Sequence, residues 1–112
     1  MKKIEAIIKR DKLSFVRRGL ADAGFTALTT YEVTGRGKQS APISIPGATT
    51  IYADPLPKQK IDIIVKDDEL ERALEVIIAK ARTGEIGDGK IFISDILDVV
   101  RIRDGIRGNK TI

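Results

Sequence analysis

Residues Lys60–Ala81 read KIDIIVKDDELERALEVIIAKA, and two different periods meet inside this stretch. Ile61, Ile63 and Val65 alternate with Lys60, Asp62 and Ile64, the period of a strand. Leu70, Ala73, Leu74, Ile77, Ile78 and Ala81 then recur at helical spacing and form an apolar face. Asp67 and Asp68 stand between the two patterns, where short acidic side chains cap a helix and suit its positive end. The stretch therefore predicts a strand that runs directly into a helix.

The same unit opens the chain. Ile4, Ala6 and Ile8 alternate with Glu5, Ile7 and Lys9, after which Leu13, Val16, Leu20 and Ala23 return at helical spacing. Asp11 is placed to cap this helix and Gly24 to end it. Phe25 to Gly35, rich in Thr, Tyr and Val, suits a further strand, and a last strand is expected around Lys90 to Leu97. Strand-helix-strand, twice, predicts an α+β fold: a ferredoxin-like βαβ-βαβ antiparallel sheet with two helices on one face. Ile7 and Ile64 point away from the helix-facing sets, so the other sheet face is expected to be apolar enough to favour an oligomer stacked sheet to sheet.

Between the two halves lies Arg36–Pro57, RGKQSAPISIPGATTIYADPLP, with prolines at 42, 46, 55 and 57 and little periodicity. It predicts a long exposed loop over residues 37–55. Loops beyond about 12–15 residues are uncommon in compact domains and are usually functional or disordered.

Composition narrows the chemistry. The 112 residues suit one domain, 1–112, and 42% of them are apolar. The chain has no cysteine and no histidine, which removes disulfides, thiolate metal sites and every nucleophile-histidine arrangement. No apolar run is long enough to span a bilayer, and the charged start MKKIEAIIKRDK lacks a signal-peptide pattern. A cytoplasmic protein without membrane insertion is expected. The net charge of +4, from 20 Lys and Arg against 16 Asp and Glu, suits a phosphate-bearing ligand or nucleic acid.

The sharpest local feature is TGEIGDGKIF, Thr83–Phe92, within a glycine-rich loop over residues 82–90. Its glycines permit tight turns, successive N–H groups can cradle an anion, and Lys90 adds a point charge for phosphate. Gly84, Gly89 and Lys90 have P-loop spacing, but Ile91 replaces the Ser or Thr that would hold magnesium. The loop also leads from helix to strand rather than from strand to helix. A second basic element is VVRIRDGIRG, in the basic C-terminal segment over residues 99–112, where an extended backbone would put Arg101 and Arg103 on one face. A third is TGRGKQ, Thr34–Gln39, at the mouth of the long loop.

TGEIGDGKIF followed by VVRIR, GRGKQ before a long loop, LPK after it and the opening MKKIEAIIK together resemble the P-II nitrogen-regulatory family, essentially end to end. The resemblance implies a non-enzymatic homotrimer that binds ATP or ADP competitively between subunits. It implies Gly87, Asp88, Gly89 and Lys90 at the phosphates with Arg101 and Arg103, and Ile7, Thr29, Gly35, Asp62 and Ile64 near adenine and ribose. It also implies Gly37, Lys38 and Gln39 in the same nucleotide site. With ATP and Mg2+ bound, the family takes up 2-oxoglutarate. Gln39 matches the metal-coordinating position and Lys58 the one that pairs with an oxoacid carboxylate. The long loop is the part that partners read.

Three departures from the family pattern matter. Position 38, often Arg, is Lys38, and position 36, often aromatic, is Arg36. The tyrosine that some members carry at position 51 for uridylylation is Ile51, with Tyr52 next and IPGATTIY in place of a Y-R-G-A-E-Y-like motif. Control by modification at 51 is not expected. AGFTALTTYEVTGRGKQ is similar to the nitrogenase-associated branch, with an ammonium-channel regulator as the alternative. A basic ferredoxin-like RNA-binding domain is the rival from another class. It needs exposed aromatics paired on the sheet, and no such strand motifs occur, so no nucleic-acid partner is expected.

Overall fold

In the computed structural model, residues 1–36, 42–43, 51–52 and 56–112 are described. The chain order is β1 (Lys2–Lys9), α1 (Leu13–Asp22), β2 (Thr29–Gly35), β3 (Pro42–Ile43), β4 (Ile51–Tyr52), β5 (Leu56–Val65), α2 (Leu70–Ala81) and β6 (Lys90–Asp95). A four-stranded antiparallel sheet has the order β2-β5-β1-β6. With α1 and α2 packed together on one face, this is the ferredoxin-like α+β arrangement.

The alternation read in β1 and β5 fixes which face is covered. Ile4, Ala6 and Ile8 of β1 and Ile61, Ile63 and Val65 of β5 are buried together with Val16 and Leu20 of α1 and Ala73, Ile77 and Ala81 of α2. The helices cross closely: a Cβ on Gly19 would lie 2.9 Å from Lys80 Cγ and 3.1 Å from Val76 Cγ1. One expected core position is corrected, because Ile78 is exposed while Val76 packs against the core. Ile78 lies five residues past Ala73, which turns it well away from the 73-77-81 row.

Helix ends divide into one expectation met and two revised. Gly24, at φ +94°, ends α1 with two local backbone bonds: Phe25 N–H donates to Leu20 O at 2.8 Å and Gly24 N–H to Ala21 O at 3.0 Å. This is a Schellman closure, with Phe25 buried just beyond it. Asp11 does not cap α1: it lies in a 3-10 turn, Arg10–Lys12, and no side chain caps the helix start. Asp67 also opens a 3-10 turn, and its carboxylate accepts from the Met1 ammonium at 2.8 Å instead of capping α2.

The strands also differ in extent from the sequence reading. β2 begins at Thr29 rather than Phe25, and β5 begins at Leu56 rather than Lys60. β3 and β4 form a short antiparallel ladder, Pro42 opposite Tyr52 and Ile43 opposite Ile51, inside the segment expected to be a long exposed loop. The rest of residues 37–55 lies outside the described residues.

The open sheet face is mixed rather than apolar, which revises the expectation drawn from Ile7 and Ile64. Glu5 accepts from Lys3 and Lys60, both at 3.0 Å, and Asp62 lies 3.8 Å from each of those ammonium groups. Tyr31 donates its hydroxyl to Asp62 Oδ2 at 3.1 Å, and the Lys60 ammonium stands 5.1 Å from the Tyr31 ring centroid. Tyr31 first, then Glu5, hold the proton on Lys60 beyond the ordinary lysine range, and Lys3 first, then Lys60, lower Glu5. Opposite charges at adjacent cross-strand positions produce this pattern, which alternation alone does not reveal. No helix among the described residues is long and apolar enough to cross a membrane.

Candidate functional site

The glycine loop joins the end of α2 to β6 and lies against the ends of β1 and β5. Gly89, at φ +99°, comes so close to β1 that an added Cβ would lie 1.7 Å from the Ile7 carbonyl oxygen. Only glycine fits both the backbone angle and the space. The next residue, Lys90, pairs with Ile7 in the ladder, so this contact sets where β6 begins.

Asp88 braces the loop from inside. Its carboxylate accepts from the Thr83 hydroxyl at 2.5 Å, the Thr83 N–H at 2.9 Å and the Gly84 N–H at 2.9 Å. These bonds, the Thr83 hydroxyl foremost, hold the group well below the usual carboxylate range. The Asp88 side chain is thus occupied within the loop, and its backbone is the part left to meet an anion.

Two lysines converge on this turn from the sheet. Lys58 donates from Nζ to the Gly87 carbonyl at 2.5 Å. Lys9 Nζ stands 3.5 Å from Asp88 Oδ1 and 3.4 Å from Thr83 Oγ1. Lys9 and Lys58 are directly opposite in the β1–β5 register, a like-charge pairing that is unfavourable unless something anionic or strongly accepting lies between. Lys9 and Thr83 are additions to the expected site. Thr83 opens the quoted glycine motif, whereas Lys9 becomes visible only once the register places it beside Lys58.

The remaining expected residues fall into three places. Gly35, at the end of β2, lies by Lys58, whose Cγ would be 3.9 Å from an added Cβ. A cavity of about 540 Å³ opens there, lined by Arg10, Glu32, Val33, Thr34, Pro57 and Lys58. Thr29, Asp62 and Ile64 line a separate cavity of about 630 Å³. There Asp62 Oδ1 is buried without a hydrogen-bond partner, the one such side-chain atom among the described residues. Gly37, Lys38 and Gln39 lie outside the described residues.

Arg101 and Arg103 are not on an extended strand, which corrects the sequence reading. Arg101 O accepts from Gly105 N–H at 2.8 Å and Arg101 N–H donates to Ile106 O at 2.9 Å, closing a turn. Asp104 causes it: its carboxylate takes Arg101 Nε at 3.1 Å and Nη2 at 2.7 Å, and the Ile106 N–H at 3.1 Å. Arg103 Nη2 is 3.9 Å from the same carboxylate, so both guanidinium groups still gather at one acidic point.

The family model described as Nitrogen regulatory protein P-II matches residues 1–106. The chain is 47% identical over 105 residues to the nitrogen regulatory protein P-II of Pasteurella multocida, covering 94% of each chain. It is 48% identical over 105 residues to nitrogen regulatory protein P-II 1 of Escherichia coli K12 and to the P-II protein of Klebsiella oxytoca, again covering 94% of each. The chain belongs to the P-II family. It is therefore a nitrogen regulatory protein, and P-II proteins regulate partner proteins of nitrogen metabolism. On this P-II scaffold the glycine loop, Lys9 and Lys58 form one basic corner, and Thr29, Asp62 and Ile64 form a second surface.

Proposed function

We propose that this P-II protein is a cytoplasmic sensor of ATP and ADP that also reads 2-oxoglutarate, and that it signals through residues 37–55. The observation that carries the reading is the corner where Gly87–Lys90 turns against the Ile7 carbonyl beside Lys9, with Lys58 at its edge for the oxoacid. Backbone N–H groups of a glycine turn beside several ammonium groups suit a polyphosphate. The Asp62 carboxylate, which lines the second cavity with Thr29 and Ile64, suits the amino or hydroxyl groups of a nucleoside.

These two surfaces complete one another in a homotrimer, where the phosphate corner of one subunit, with Ile7 and Gly35, meets the nucleoside surface and Arg101 and Arg103 of the next. Apolar side chains exposed along β6 and the segment after it, Phe92, Ile93, Leu97, Val100 and Ile102, are the kind of surface that subunit contact removes from water. Gln39 is the protein ligand for Mg2+. Bound at Gln39, Mg2+ would supply positive charge to offset the anionic groups of a nucleotide and an oxoacid. The regulated partner is nitrogenase, an ammonium channel or another nitrogen-metabolism enzyme. Pull-downs from native extract with ATP, with ADP, and with ATP plus 2-oxoglutarate separate these.

The direct test is calorimetry with Lys90→Ala. A hydrogen bond to a charged group contributes roughly 1.5–3 kcal/mol, so ATP binding is expected to weaken about 10- to 100-fold. Unchanged affinity in a folded variant would reduce the glycine loop to a simple connection and remove the basis of the reading.

A further inference from the structure

The segment after β6 folds back on itself. Asp98 accepts from Arg107 Nε at 2.6 Å and from its own neighbour, the Val99 N–H, at 2.8 Å. Val100 and Arg107 form an isolated antiparallel bridge, and Gly108 N–H donates to Val99 O at 2.9 Å. Gly108, at φ +82°, then starts a 3-10 turn, Gly108–Thr111, closed by the Thr111 hydroxyl donating to Gly108 O at 2.8 Å. The hairpin thus aims the last residues at a definite place.

That place is the cavity of about 630 Å³ bounded by Thr29, Asp62 and Ile64, which Thr111 and Ile112 also line. Its volume lies within the roughly 300–1,000 Å³ typical of small-molecule sites. The lining combines aliphatic surface, from Ile64 and Ile112, with one carboxylate, Asp62. Gly108–Thr111 and Ile112 lie beyond residues 1–106, the span matched by the family model.

We infer that Ile112, delivered by the 98–108 hairpin, is a wall of the nucleoside pocket and a determinant of base binding in this protein. The inference rests on the nucleotide reading above. A purine ring entering beside Thr29 and Ile64 meets Ile112 as apolar surface, while the Asp62 carboxylate is the acceptor in the lining for an exocyclic amine or a ribose hydroxyl. The wall acts on the nucleoside and not on the phosphates, which lie at the glycine loop.

The experiment compares the full chain with Ile112→Ala, using Mg2+ with ATP and Mg2+ with inorganic tripolyphosphate as calorimetric probes. Ile112 is 37% exposed, so the substitution leaves the core intact, and Ile112→Val serves as the conservative control. Loss of part of an aliphatic contact is expected to weaken ATP about fivefold while tripolyphosphate stays within about twofold, and Ile112→Val is expected to retain most of the ATP affinity. Unchanged ATP affinity, or equal losses for both probes, overturns the inference while leaving the nucleotide reading intact. Failure of the unsubstituted protein to bind ATP refutes that reading and the inference with it.

Discussion

Replacing Gly89 with alanine is expected to lower the melting temperature by about 10–20 °C and to abolish nucleotide binding. Two costs combine. A side chain at φ +99° carries roughly 1–3 kcal/mol of backbone strain. The new Cβ would also fall 1.7 Å from the Ile7 carbonyl oxygen, and neither partner in that overlap is a movable side chain. For a domain of this size each kcal/mol is about 4–8 °C. Gly84→Ala is the comparison. Its φ is +88° but nothing lies within 4 Å of the added atom, so it should show the conformational cost alone, about 1–2 kcal/mol. Thermal unfolding followed by circular dichroism ranks the two. Equal shifts would mean that β6 is not seated on β1 as described.

Lys58→Ala is expected to reduce 2-oxoglutarate affinity at least about 30-fold, with ATP and Mg2+ present, while ATP itself weakens less than about fivefold. The ammonium group reaches the Gly87 carbonyl at 2.5 Å, which places its charge at the edge of the loop rather than beneath it. An oxoacid carboxylate arriving there replaces the carbonyl as its partner and gains a charged hydrogen bond. The loss of the Gly87 contact accounts for the small effect on ATP. By linkage, oxoglutarate should tighten ATP by the factor with which ATP tightens oxoglutarate, and the variant should lose both halves of that coupling. Calorimetric titrations in both orders decide it. A variant that binds oxoglutarate normally would take Lys58 out of the site.

The sheet and its covering helices could be read because Ile4, Ala6 and Ile8, and Ile61, Ile63 and Val65, answer to one burial rule. The first residues of β5 could not. Pro57 reads as a loop residue, yet it is tolerated because β1 has stopped opposite Lys58 and only β2 continues alongside. The charged network on the open face was illegible for a related reason. Glu5 and Asp62 are 57 positions apart in sequence and become neighbours only through the register. The glycine loop was legible because its spacing is local, and Lys9 was missed because its importance comes from a strand that arrives later. Two-residue spacing alone implies an extended backbone for Arg101 and Arg103, and Asp104 draws both into a turn instead.

The order β2-β5-β1-β6 has a consequence for what the chain could tolerate. Strands β1 and β2 come from the first half, β5 and β6 from the second, and no two from the same half are neighbours. Every ladder of the main sheet therefore stitches one half to the other, like interlaced fingers. A peptide containing only residues 1–36, or only 56–112, has no sheet partner of its own. Cleavage between them would yield two fragments that are mutually dependent, each templating the other or neither folding. The stretch that separates them is also the one through which the protein is proposed to signal, so a severed P-II chain could keep its sheet while losing the continuity of its message.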